Sequence, residues 1–152
     1  MVSMSIKEQL RDALIEAMKS GQDLRKTTVR MALASIKNAE IEARGEIKDD
    51  LVLNLLQKEV KARQETIDAA KQAKRPDLIK KAEEEIVVLG EFLPQPLSAE
   101  ELRSLIQEAI DESGATSMAE IGKVMGVLMP KIRGKADGKE ANQIVRELLG
   151  AE

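Results

Sequence analysis

The stretch Phe92-Leu93-Pro94-Gln95-Pro96-Leu97-Ser98-Ala99-Glu100-Glu101 decides how this chain is organised. Two prolines two residues apart cannot continue a helix, and each biases its predecessor toward extended geometry. Directly afterwards, Ser98 and Glu101 have the spacing of a capping box, in which a hydroxyl and a carboxylate three residues on satisfy orphan helix amides. One helical module therefore ends before Pro94 and another begins at Ser98. The boundary predicts an N-terminal module over 1–93 and a C-terminal module over 94–152.

Upstream of that boundary the helix signals are continuous. Ser5 and Glu8 form a second capping box, followed by Ile6, Leu10, Leu14 and Met18 at spacing four, and Gly21 supplies a left-handed stop. Asp23 is positioned to cap a second helix to about Arg44, with Val29, Leu33 and Ile36 in register and Gly45 as its breaker. Asp49 or Asp50 is positioned to cap a long third helix ending near Lys74, with Leu51, Leu55, Val60 and Ile67 as its stripe. Pro76 suits a first turn, and a fourth helix from Asp77 to Phe92 carries Leu78, Ala82, Ile86 and Leu89. Downstream, Ser98 opens a helix that Gly114 closes. Ser117 with Glu120 opens the next, which is expected to stop around Pro130. Asp137 with Glu140 opens the last, carrying Ala141, Ile144, Val145 and Leu148. The fold class predicted is all-α: about four helices, then three shorter ones.

Composition excludes much chemistry. Among 152 residues there is no Cys, His, Trp or Tyr, and Phe92 is the sole aromatic. Disulfides, thiolate nucleophiles and zinc fingers are excluded, as are the commonest general base and metal ligand. Base-stacking readers of single-stranded RNA need aromatics that this chain lacks. No P-loop, dinucleotide fingerprint, nucleophile elbow or Ser-x-x-Lys signature occurs. Adjacent carboxylates of the Glu83-Glu84-Glu85 run point in different directions on a helix, which reads as a solvated face with partners such as Lys80 and Lys81. No catalytic residue, metal site or cofactor is expected. No apolar run approaches the roughly 20 residues of a membrane span, and Lys7 and Glu8 interrupt the N-terminus before any apolar leader core. A cytoplasmic location and no membrane partner are the expectations.

Charge is unevenly distributed. Residues 1–93 hold 17 basic and 17 acidic side chains, residues 94–120 one and six, and residues 121–146 six and two. The basic excess centres on Lys131-Ile132-Arg133-Gly134-Lys135-Ala136-Asp137-Gly138-Lys139. Its glycines let a backbone bend and approach a ligand closely, and the first amides of the following helix attract phosphate. Asp137 competes for those amides as the cap. Lys139, Gln143 and Arg146 share one helical face, opposite Ile144, Val145 and Leu148, and extend the basic surface. The alternative is a solvated hairpin loop with ordinary lysines. Gly122 and Gly126 stand one turn apart inside a helix, where each glycine costs about 1 kcal/mol against alanine. Either a neighbouring helix or RNA must approach closely there. Met118, Met125 and Met129 stripe the adjoining face as core filler. Lys26, Arg30, Lys37 and Arg44 project within about 40° of one another on the second helix. They form either a solvated edge or an extension of a basic track, with Leu33 in the same arc partly buried.

Three blocks, Gly122-Lys123-Val124-Met125-Gly126, Met129-Pro130-Lys131 and Gly134-Lys135-Ala136-Asp137-Gly138-Lys139, resemble the YqeY-like family. So do Arg75-x-Asp77-Leu78, Phe92-Leu93-Pro94 and Leu97-Ser98-x-x-Glu101. The family's aromatic near Ala70 is replaced here by alanine. Its C-terminal module is similar to the tail of the B subunit of tRNA-dependent amidotransferases, which is implicated in holding tRNA, and to a module on some glutaminyl-tRNA synthetases. The resemblance implies an N-terminal helical bundle and a three-helix tail-like domain. It also implies tRNA as ligand, and an aminoacyl-tRNA synthetase or amidotransferase as partner. The residues expected to contact RNA are Lys123, Lys131, Arg133, Gly134, Lys135, Gly138, Lys139 and Arg146. Catalysis does not transfer: the glutaminase and ATP sites of amidotransferases lie in other parts of those enzymes. A carbon–nitrogen ligase activity with glutamine as amide donor is an inherited family label. Two further readings are a protein-interaction adaptor using residues 98–120 or the methionine face, and a genuine amide-transferring enzyme. The sequence carries no signal of oligomeric state.

Overall fold

The computed structural model describes residues 4–150. Among them it is all-helical, with seven α-helices and one short 3-10 turn. They are α1 (Ile6–Ser20), α2 (Asp23–Ala43), α3 (Asp49–Gln72), α4 (Pro76–Gly90) and α5 (Ala99–Ser113), then the one-turn 3-10 helix Met118–Glu120, α6 (Ile121–Ile132) and α7 (Gly138–Gly150). Backbone contacts divide the chain into two compact units, Met1–Pro94 and Gln95–Glu152.

In the first unit α1 and α2 form one antiparallel pair and α3 and α4 another, with α2 touching the other three. The core joins Leu10 and Ala13 of α1, Val29, Ala32 and Ile36 of α2, Val52 and Leu56 of α3, and Val88 and Leu89 of α4. Phe92 packs against this cluster at its base, with the Arg25 guanidinium 6.0 Å above its ring. Arg25 also pairs with Glu91. The buried Arg63 knits three helices together. Its Nε donates to Glu85 of α4 at 2.7 Å, and its Nη1 to Glu59 at 2.6 Å. Ser35 of α2 donates to the same Glu59 carboxylate at 2.9 Å. Burial works against the Arg63 charge, and the hydrogen bonds that it donates to Glu59 and Glu85 overcome it, leaving its pKa above the usual guanidinium value.

The second unit packs α5, α6 and α7 around Leu102, Ile106, Ala109, Val124, Leu128, Ile132, Ala141, Val145 and Leu149.

Several local expectations are corrected. Spacing four drifts by about 40° per step, so the α1 stripe leaves the core. Leu10, Ala13 and Ala17 are buried, whereas Met18 is exposed. In α3 the buried positions are Val52, Leu56, Arg63 and Ala70; of the expected stripe, Leu55 and Val60 pack at the margin of the core and Leu51 faces out. Asp23 lies in the first turn of α2 behind Gln22, and Asp49 in that of α3 behind Lys48. Asp49 instead accepts from the Ile6 amide at 3.2 Å, closing the N-terminus of α1. The left-handed residue ending α2 is Arg44, at φ 56°, rather than Gly45. Ser5 makes both halves of its capping box, and Ser98 accepts from the Glu101 amide. Ser117 makes no such bond and introduces only the 3-10 turn.

The helix expected to stop around Pro130 runs two residues past it. Pro130 deprives the Gly126 carbonyl of its donor, a cost that falls on an exposed turn. Continuation to Ile132 completes the stripe Val124, Leu128, Ile132, all fully buried. Burial of a side chain like Ile132 is worth about 2 kcal/mol, which offsets the missing bond.

Candidate nucleic-acid interface

The basic loop joining α6 to α7 is a fixed turn. Gly134 adopts φ 79°, a conformation that strains any residue with a Cβ, and it is buried. The amides of Lys135 and Ala136 both return to the Ile132 carbonyl, at 2.8 and 3.0 Å. The Leu97 amide donates to the Lys135 carbonyl at 3.0 Å, so the segment entering the second unit braces the loop from outside. Leu97 packs on the core through its side chain. Sequence reading missed this brace, because a backbone hydrogen bond across 38 positions leaves no side-chain signature.

Asp137 accepts from the Lys139 amide at 3.1 Å and so occupies the start of α7 as expected. At Gly138 a Cβ would stand in van der Waals contact with the flexible end of Met129, its Cε at 3.4 Å.

The predicted cations are disposed as follows. Lys123, Lys131, Lys135, Lys139 and Arg146 are exposed, and Arg133 is half-buried. Lys131 forms an ion pair with Glu112 of α5 at 2.9 Å, and the Arg146 Nε donates to Asn142 at 2.8 Å. Gln143 is exposed beside Lys139 and Arg146, and α7 buries Ala141, Val145 and Leu149 on the opposite side. Leu148, expected on the buried side, is exposed. Glu112 is the residue that sequence reading passed over. It is the last acidic residue of α5, and the proximity of acidic and basic segments was the signal for it.

Of the two readings for Gly122 and Gly126, tight packing against a neighbouring helix is overturned. Both are exposed, and a Cβ at either would meet nothing within 4 Å. Met125 and Met129 pack against the core from the same helix, and Met118 is exposed. The exposed side of α6 is thus open backbone at two successive turns, with Lys123 beside it and the basic loop at its end. Such a surface admits a phosphate chain more closely than a side-chain-covered helix does, and neighbouring cations supply the attraction.

Lys26 and Arg30 belong to the first unit. Lys26 is half-buried and 3.5 Å from Asp23. Arg30 and Lys37 are exposed, and Leu33 packs against the core as expected. Within the acidic run of α4, Lys80 lies 4.0 Å from Glu84, whereas Glu85 is tied to Arg63.

A family model described as "Yqey-like protein" matches residues 7–149. The chain is 30% identical over 149 residues to the protein named "Altered inheritance of mitochondria protein 41, mitochondrial" of Pyrenophora tritici-repentis, covering 95% of this chain and 81% of that one. It is 38% identical over 93 residues to the protein of the same name in Lachancea thermotolerans, covering 60% of this chain and 50% of that relative. An uncharacterized protein of Schizosaccharomyces pombe is 34% identical over 89 residues. The cytoplasmic location expected from the sequence is corrected by these relatives, which carry mitochondrial names. That expectation rested on the lack of an apolar secretory core, a criterion blind to mitochondrial import signals, which are amphipathic and Arg-rich.

Proposed function

The chain belongs to the YqeY-like family, and on that premise we propose that its C-terminal unit is a tRNA-binding module of an accessory protein acting beside aminoacylation or tRNA-linked amidation. The observation that carries this reading is the open backbone of α6 at Gly122 and Gly126, continuous with the basic loop. Gly122 stands in the first turn of α6 and Gly126 in its interior, where glycine destabilises a helix by about 1 kcal/mol, and no packing inside the unit accounts for either. A close-approaching ligand does.

The ligand contacts are phosphates. Lys123, Lys131, Lys135 and Lys139 reach the backbone, with Arg133 and Arg146 at the edges. Gly134 holds the loop in its left-handed bend, and Leu97 holds it against the core. Lys131 exchanges Glu112 for phosphate on binding. Without aromatics to stack on, the module reads charge and shape rather than bases. Intrinsic amide transfer forms no part of the proposal.

The test is a titration of bulk tRNA against the wild type and a Lys131→Glu/Arg133→Glu/Lys135→Glu/Lys139→Glu variant at several salt concentrations. Releasing counterions from about four phosphates gives a steep salt slope, so the variant should bind about a hundredfold more weakly and lose about three units of that slope. Equal affinities and slopes would end the proposal.

A further inference from the structure

Glu112 stands against the local preference of its own helix. It lies in the last turn of α5, where the exposed carbonyls form the negative end of the helix and disfavour a carboxylate. That turn holds no basic residue, and Glu108, one turn earlier, adds a like charge at spacing four. The neighbouring Asp111 turns back along α5 and accepts from the Gln107 side-chain amide at 3.1 Å. Glu112 instead reaches across to α6 and accepts from the Lys131 amine at 2.9 Å. Lys131 has no matching need of a partner. It lies in the last turn of α6, where the same dipole favours a cation.

The pair is also badly placed for a stabilising tie. The Lys131 and Glu112 side chains are 38% and 60% exposed, whereas those of Arg63 and Glu85 in the first unit are 8% and 15% exposed. An ion pair so open to water adds little to stability. Its other consequence is chemical: a carboxylate offers an ammonium the same kind of anionic oxygen that a phosphate does. A polyanion that engages Lys131 must first displace Glu112, and it then lies beside the freed carboxylate. Residues 95–152 hold seven basic and ten acidic side chains, so no overall positive charge of the unit offsets that displacement. An isolated phosphate gains little by the exchange, whereas a phosphate chain that engages further loop cations at the same time can drive it.

We propose that Glu112 is an internal competitor for the phosphate surface, which holds Lys131 and sets the affinity of the second unit for tRNA below what its cations alone would give. This regulation rests on the reading of that unit as an RNA-binding module.

The test titrates bulk tRNA against the full chain as wild type, Glu112→Gln, Lys131→Gln and the double variant Glu112→Gln/Lys131→Gln. Glu108→Gln serves as control, because it removes the same charge from α5 one turn away. Salt is kept at about 50 mM, where exposed charges are weakly screened. Glu112→Gln should bind about threefold more tightly than wild type, and Glu108→Gln should change little. The gain should vanish once Lys131 is Gln, so that the double variant matches Lys131→Gln. The urea midpoint of Glu112→Gln should stay level or rise, since an unfavourable helix-end charge is lost with the pair. Wild-type affinity in Glu112→Gln overturns the proposal and leaves the RNA reading standing; a lowered midpoint beside it would make the pair a structural tie. A gain that persists without Lys131, or that Glu108→Gln reproduces, also overturns it by assigning the effect to net charge. Absence of tRNA binding in wild type and every variant overturns the RNA reading, and the competitor with it.

Discussion

The two units use charge in opposite ways. In the first, polar groups are turned inward as ties: Arg63 to Glu59 and Glu85, Ser35 to Glu59, Lys7 to Glu40, Arg25 to Glu91. In the second, the cations gather on one loop and its flanking helices, and most of them face outward. A structural role predicts the first pattern. The second leaves positive charge concentrated where it adds little to stability. The glycines sharpen the contrast. The first unit places Gly21 at a helix end in the left-handed region, at φ 71°. The second places Gly122 and Gly126 inside a helix where no neighbour requires them. Substitution in the first unit should therefore move stability and leave ligand binding alone, whereas substitution in the second should move binding as well.

The largest effect should come from Arg63. Removing it as Arg63→Met strands two half-buried carboxylates, and breaking such a network costs about 3 kcal/mol. With neither Trp nor Tyr in the chain, the readouts are far-UV circular dichroism in urea and hydrogen exchange localised to α3. Exchange should accelerate in the first unit and stay unchanged in α6 and α7, with tRNA affinity retained. Protection lost equally in both units would break the distinction.

Next comes Gly134→Ala. Its φ of 79° makes a Cβ strained by about 1–2 kcal/mol. The second unit should lose stability by that amount, and the loop should lose its set geometry, weakening tRNA binding as well. An unchanged midpoint would mean that the bend is not enforced by glycine.

The smallest effect concerns pH in the first unit. The hydrogen bond from Lys7, joined by the Ile47 amide, holds the Glu40 carboxyl below its ordinary value of 4.5. A carboxylate depressed in the folded state adds stability that is fully present above its unfolded pKa and is lost as pH falls through the folded value. Wild type should therefore weaken more than Glu40→Gln as pH drops from neutral to below 4.5. Parallel pH profiles would remove the tie from the account.

The elements were legible because their ends are chemically marked. Ser5 with Glu8, Gly21 and Gly114 each act within a few residues, and the structure places helix ends at them, whereas α4 ends at Gly90, short of the expected Phe92, and the Pro94–Pro96 pair falls in the non-helical stretch before α5. Core registers were less legible. A stripe at spacing four overlooks its own drift, and in α3 the register holds an arginine whose burial depends on partners from α4. Pro130 misled for a similar reason, since the burial of Ile132 outweighs the missing donor. The basic loop could be read from charge and glycine content alone. The openness at Gly122 and Gly126, the brace from Leu97 and the Glu112 pair could not, because each depends on what another helix or strand of chain brings near.

The most direct test of the central claim is a paired measurement on Gly122→Ala/Gly126→Ala: urea stability and tRNA affinity on the same protein. A Cβ at either position meets nothing within 4 Å, so the variant should gain about 1 kcal/mol from helix propensity, most of it at Gly126 in the helix interior. The same methyl groups should hold the phosphate chain away from the α6 backbone and lower tRNA affinity. Higher stability with weaker binding is the predicted result. Higher stability with undiminished tRNA binding would contradict the claim that this open helix face is the RNA surface.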